Sequence, residues 1–151
     1  MVPLASRPRP LRLLCVEEDP VNRKLLAACF EAVDAESLFA PRAGNAVWLF
    51  RRHPVDMVFM DLDWHAAEEI AAFEEMRNMS RCGRRVPILA VTDNECGWSE
   101  ADYRSAGFAG LYPKPIEPLR LFATIDDVLR ERGQPPLLNR PVRGAPLPHI
   151  A

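Results

Sequence analysis

The residues best suited to chemistry in this chain each follow a short apolar run. Glu17, Glu18 and Asp19 come after residues 11–16. Asp61 closes the run at 56–60, and Asp63 stands two places on. Thr92 and Asp93 follow residues 87–91, and Lys114 lies between Pro113 and Pro115 after residues 110–112. Taken singly, each has an ordinary reading: a solvated acid, a strand-end hydroxyl, an exposed loop lysine. Taken together, carboxylates with one hydroxyl and one lysine suit a hard divalent cation that takes oxygen ligands and also binds phosphoryl oxygens, as Mg²⁺ does. Carboxylates crowded without a cation repel one another. The hydroxyl and the ammonium suit the remaining oxygens of a phosphoryl group.

Such a site needs elements that bring distant residues together, and the periodicity supplies them. Residues 11–16 form a continuous apolar-rich run, as expected of a strand buried on both faces. Asp19-Pro20 opens a helix, with Asp at the N-cap and Pro at the first helical position. In that helix Val21, Leu25, Ala28, Cys29 and Ala32 recur at helical spacing. Residues 36–40 read as a second strand and 43–53 as a helix, with Ala46, Val47, Phe50 and His53 on one side. Residues 56–60 read as a third strand and 66–80 as a helix. A fourth strand follows at 87–91, and Ser99 caps a short helix ending at Gly107. Residues 110–112 form a short fifth strand. Pro118 starts a last helix, with Leu119, Phe122, Ile125 and Leu129 inward. Strands alternating with helices imply a doubly wound parallel sheet with helices on both faces. In such a sheet, ligands sit beyond the carboxyl ends of the strands, where all the residues named above fall.

The ends of the chain read differently. Pro3, Pro8 and Pro10 crowd the start, and Pro135, Pro136, Pro141, Pro146 and Pro148 crowd the end. Proline removes backbone donors, so residues 1–10 and 134–151 are expected to be tails around a domain at 11–133. A formal net charge of -2 leaves no basic excess for nucleic acid. The run at 11–16 is too short to span a membrane and is interrupted by Arg12, and it lacks the features of a signal peptide. A cytoplasmic protein is expected. Cys15, Cys29, Cys82 and Cys96 lack metal-ligand spacing.

The run LLCVEEDPVNRKLL resembles the opening of receiver domains of the two-component response-regulator family. VDMVFMDLD resembles their phosphoacceptor strand, VPILAVT their fourth strand with its switch hydroxyl, and GFAGLYPKPI their fifth strand with its Lys-Pro pair. The resemblance spans roughly 11–133. It implies a five-stranded flavodoxin-like sheet of order 2-1-3-4-5. It also implies that Asp61 accepts a phosphoryl group from a partner phosphohistidine, on a sensor histidine kinase or a histidine phosphotransferase. Glu17, Glu18, Asp61 and the backbone carbonyl of Asp63 would hold Mg²⁺, while Thr92 and Lys114 would bind phosphoryl oxygens. A cis Lys114–Pro115 bond is implied too. The resemblance implies a single-domain response regulator in a phosphorelay, not an enzyme in the usual sense, though one that would catalyse its own phosphotransfer and dephosphorylation.

Several positions depart from the family pattern. Glu18 stands where Asp is usual, and Trp64-His65 replaces Met-Pro in the loop after Asp61. Asp93 follows the switch hydroxyl where a small residue is usual. Leu111 replaces the aromatic of strand five, with Tyr112 next to it. These departures leave open a degenerate receiver that binds a protein partner without phosphorylation. His65 is a minor candidate for a metal ligand or proton donor, and Trp64 for a cover over the site; Trp48 and Trp98 are expected to pack. The family's output face maps to residues 99–132, where a downstream protein or a second copy would dock. It carries Arg104, Glu117, Arg120, Asp126, Asp127 and Arg130, expected to lie on a solvated face.

Overall fold

A computed structural model of the chain describes residues 10–62, 67–81, 84–93 and 97–137. Its main sheet has five parallel strands: β1 (Arg12–Val16), β2 (Glu36–Ala40), β3 (Met57–Asp61), β4 (Ile88–Thr92) and β5 (Gly110–Pro113). Their order is β2-β1-β3-β4-β5, as the family resemblance implied. Five helices connect them: α1 (Pro20–Ala32), α2 (Ala43–Arg52), α3 (Ala67–Asn78), α4 (Glu100–Ala106) and α5 (Pro118–Glu131). Among the described residues no helix is long and apolar enough to cross a membrane.

The strands alternate their side chains between two separate cores. Leu13, Cys15, Phe59, Leu89, Val91 and Tyr112 face α1 and α5, where Leu26, Phe30 and Ile125 meet them. Leu14, Val58, Met60, Ile88 and Ala90 face the opposite layer, with Ala46, Phe50, Phe73, Met76 and Tyr103 from α2, α3 and α4. Both faces of the central strands are thus buried. This is why β1, β3 and β4 read as unbroken apolar runs.

The helix punctuation follows local chemistry. Asp19 accepts the Val21 N–H at 2.9 Å at the start of α1, with Pro20 beside it. Ser99 and Asp102 form a reciprocal capping box on α4, and Gly107 ends that helix at φ 111°.

Two helix faces differ from expectation. Leu119 is 82% exposed and Val21 72% exposed. The buried stripe of α5 runs instead through Leu121, Phe122, Ile125, Val128 and Leu129, and Leu119 lies about a third of a turn off its centre. In α1, Leu26, Cys29 and Phe30 carry the burial; Ala28 and Ala32 are exposed. Trp48, expected to pack, is also exposed, its ring covered by the Arg52 guanidinium at 3.9 Å.

Helix α3 stops at Asn78, and Ser80–Arg81 then pairs antiparallel with Arg84–Arg85 in a small separate ladder. Packing also continues past residue 133. Gln134 donates its N–H to the Leu129 carbonyl at 2.8 Å. Leu137 is buried in the α1–α5 core, and its N–H is donated to Asp126 Oδ1 at 2.5 Å.

Candidate functional site

The carboxyl ends of β1, β3, β4 and β5 converge because the strands are parallel and in register. Asp61 lies opposite Val91, and Thr92 opposite Pro113. The backbone extends this pairing: Leu62 donates to the Val91 carbonyl at 2.9 Å, and Lys114 to the Thr92 carbonyl at 2.8 Å. Asp61, Thr92 and Lys114, taken from three separate runs of the sequence, are thereby brought together. Thr92 is fully buried.

The Lys114 ammonium reaches across to Asp61, with Nζ 2.8 Å from Oδ1. The Lys114–Pro115 bond is cis, as the resemblance implied. Burial alone would lower the Lys114 pKa. The hydrogen bond and charge of Asp61 outweigh it, with smaller contributions from Glu17 and Asp93, and the net shift is upward. Asp93 itself is exposed at the rim, close enough for its charge to be felt at Lys114.

Glu17 extends β1 beyond its last strand residue, its N–H donated to the Ala40 carbonyl at 3.0 Å. Its side chain is buried and accepts the Asp19 N–H at 3.0 Å. Burial and then the neighbouring Asp61 carboxylate push Glu17 above the ordinary carboxylate range, against the opposing pull of the Asp19 N–H and Lys114. Below the carboxylates lies a recess of about 10 Å³ lined by Cys15, Glu17, Phe59, Asp61, Val91 and Tyr112. It has room for one water at most. Burial drives the Cys15 thiol far above its ordinary pKa, with Glu17 adding to the shift, so Cys15 is no nucleophile here.

The structure therefore brings Glu17 and Asp61 together but leaves Glu18 exposed. Among the described residues no three acidic, histidine or cysteine side chains gather as a metal site. Asp63, Trp64 and His65 lie outside the described residues. The donor chemistry nonetheless fits a hard cation. Two carboxylates are held side by side; burial and then the Asp61 charge push Glu17 toward protonation, and a divalent ion relieves the repulsion between them.

The residues next to the site show how the departures are accommodated. Leu111 and Tyr112 are adjacent in β5 and face opposite cores: Leu111 packs against the α2–α4 layer, Tyr112 against the α1–α5 layer. Tyr112 therefore does not stand in for an aromatic at position 111. On the Leu111 side Tyr103 of α4 is one of several buried aromatics, edge-on to Trp98 at 5.3 Å and to Phe108 at 5.9 Å.

Of the charged residues expected on the solvated face at 99–132, Arg104, Glu117, Asp127 and Arg130 are exposed, and Arg120 is half-buried. Asp126 is buried. Arg104 is engaged with Glu100 at 3.2 Å and Glu131 at 3.4 Å. Arg120 donates to the carbonyls of Pro113 at 2.7 Å and Pro115 at 2.5 Å. Nothing in the sequence marked Arg120 as part of the site's support; there it is one of the charged residues of the 99–132 face, and the Glu117 carboxylate stands 3.8 Å away.

Comparison with known proteins agrees with this arrangement. A profile of the response regulator receiver domain matches residues 13–126. The sensor protein GacS of Pseudomonas syringae is 30% identical over 125 residues; the match covers 79% of this chain but only 13% of GacS. The chain thus spans a small part of the sensor proteins it matches. The polar-differentiation response regulator DivK of Brucella anthropi is 26% identical over 120 residues, covering 80% of this chain and 97% of DivK. Among solved structures, the receiver domain of a sensor histidine kinase from Pseudomonas aeruginosa superposes with a TM-score of 0.67 at 26% identity. That match covers 83% of this chain and 99% of that domain, which holds a magnesium ion in its active-site cleft.

Proposed function

The chain belongs to the response regulator receiver domain family of two-component signalling, and on that premise we propose that Asp61 accepts a phosphoryl group from a phosphohistidine on a sensor histidine kinase or histidine phosphotransferase. The observation that carries this reading is the Lys114 ammonium 2.8 Å from Asp61 at the meeting point of three strand ends, with Glu17 buried beside them. In the transfer, the Asp61 oxygen not held by Lys114 attacks phosphorus. The P–N bond breaks, the imidazole leaves with the electron pair and gains a proton, and an acyl phosphate forms. Lys114 and Thr92 bind the phosphoryl oxygens, so the protein's work is positioning and charge neutralisation. Glu17, Glu18, Asp61 and the Asp63 carbonyl would hold Mg²⁺, which when bound neutralises charge on the same oxygens. Phosphorylation would be reported to a downstream protein or a second copy through residues 99–132, in the cytoplasm.

Intact-mass analysis after incubation with Mg²⁺ and acetyl phosphate tests the central assignment. Wild type gains one phosphoryl group and Asp61→Ala gains none. Equal labelling of the two moves the acceptor elsewhere. A second reading, a binding module that needs no phosphorylation, is favoured by one feature, the Asp93 charge felt at Lys114. Unlabelled wild type with intact partner binding would select it.

A further inference from the structure

The loop that presents Lys114 is poor in backbone donors, because Pro113 and Pro115 flank it. Its carbonyls are nevertheless held. Arg120 lies in the first turn of α5, and a single nitrogen, Nη2, reaches Pro113 O at 2.7 Å and Pro115 O at 2.5 Å. That nitrogen carries two hydrogens, one for each carbonyl. The guanidinium also sits over the Tyr112 ring, 4.7 Å from its centroid. The Tyr112 hydroxyl in turn accepts the Glu117 N–H at 2.8 Å and meets the Glu117 carbonyl at 3.2 Å. Both ends of the 113–117 loop are thus tied to one stacked Arg–Tyr pair.

We propose that Arg120, seated on Tyr112, is a positioning residue that sets where the Lys114 ammonium stands relative to Asp61. The inference rests on the reading of Lys114 as a phosphoryl-binding group. A lysine side chain is long and flexible, so where its ammonium stands depends on how firmly its own Cα is held; Arg120 holds the 113–114 peptide unit directly before that Cα and the 115–116 unit just beyond Pro115. The Arg120 Nε is buried without a hydrogen-bond partner. The guanidinium is therefore oriented by the two carbonyls and the ring rather than by the Glu117 carboxylate at 3.8 Å, which is beyond hydrogen-bond length.

The test measures labelling rates with acetyl phosphate and Mg²⁺ for wild type, Arg120→Met, Lys114→Met and the double variant, with urea midpoints as a check on folding. Arg120→Met should lower the saturating rate by about ten- to a hundredfold, the range a small misplacement produces, and leave the half-saturating Mg²⁺ concentration unchanged. In the Lys114→Met background it should slow labelling no further, because the group it positions is gone. Arg120→Lys keeps the charge but loses the fork and the stacking, and should fall between. If Arg120→Met fails to fold, Arg120→Lys is judged by the same two comparisons. A wild-type rate in the arginine variant overturns the inference; so does equal slowing with and without Lys114, which marks a merely structural role. Wild type that does not label overturns the phosphoacceptor reading itself, and this inference with it.

Discussion

Leu137 offers a direct measure of how far the folded unit extends. It is 3% exposed and buried in the core between the sheet, α1 and α5, although it lies in the proline-rich stretch after α5. Leucine-to-alanine changes in cores cost about 2–5 kcal/mol. Leu137 lies outside any helix or strand, where the backbone can shift to fill part of the space, so the lower end applies, about 2 kcal/mol. Asp126→Ala removes the acceptor of the Leu137 N–H and leaves a buried donor unpaired, at about 1–2 kcal/mol. The two changes release the same segment, so the double variant should lose less than the sum. In a domain of this size, Leu137→Ala should lower Tm by about 7 °C. Urea unfolding of wild type, the single variants, the double variant and a chain ending at Gly133 measures all of this. If Leu137→Ala and the shortened chain both stay within about 0.5 kcal/mol of wild type, Leu137 contributes nothing and the folded unit ends with α5.

Two further outcomes concern the site. Because Glu17 binds its proton more tightly in the folded domain than its ordinary value of 4.5, its contribution to stability is complete below that value and is lost as pH rises through the raised one. With EDTA present, stability should therefore fall with pH above the ordinary carboxylate range; Mg²⁺ should restore it by mass action, and Glu17→Gln should remove the slope. The same slope in Glu17→Gln would assign it to another group. Asp93→Ala should speed labelling by acetyl phosphate about fivefold, the worth of one solvated unit charge at close range; an unchanged or slower rate would show that Asp93 does not oppose the incoming phosphoryl group.

What the sequence makes legible here is what local chemistry and long apolar runs encode. Asp19-Pro20, Ser99 and Gly107 mark helix ends through hydrogen bonds to near neighbours. Doubly buried strands cannot be mistaken for amphipathic surface ones. Strand ends then locate Asp61, Thr92 and Lys114 without knowledge of side-chain direction. The failures have the opposite character. Helical spacing counts Val21 and Leu119 among the apolar positions of their helices, yet both stand in the first turn, before the buried stripe begins. Asp126 read as a surface acid because its partner is a backbone N–H eleven residues away, and Arg120 as a surface cation because its partners are carbonyls. Neither kind of partner leaves a mark on side-chain spacing. The ladder at 80–85 is too short to show a period at all.

The strand order leaves β5 at one border of the sheet, where unpaired backbone groups would normally invite another strand. This border is blunted at both ends. At its start, the Arg104 guanidinium and Glu100 carboxylate stand over Gly110, each 3.6 Å from where a Cβ would be. At its finish, Pro113 has no N–H to offer, and Pro115 follows two places on. An extended segment from another molecule finds few donors there, so the sheet resists growth into a fibre from this side. Any second copy that settles on this face must do so through the helices, by side chains, and can leave again without breaking a backbone ladder.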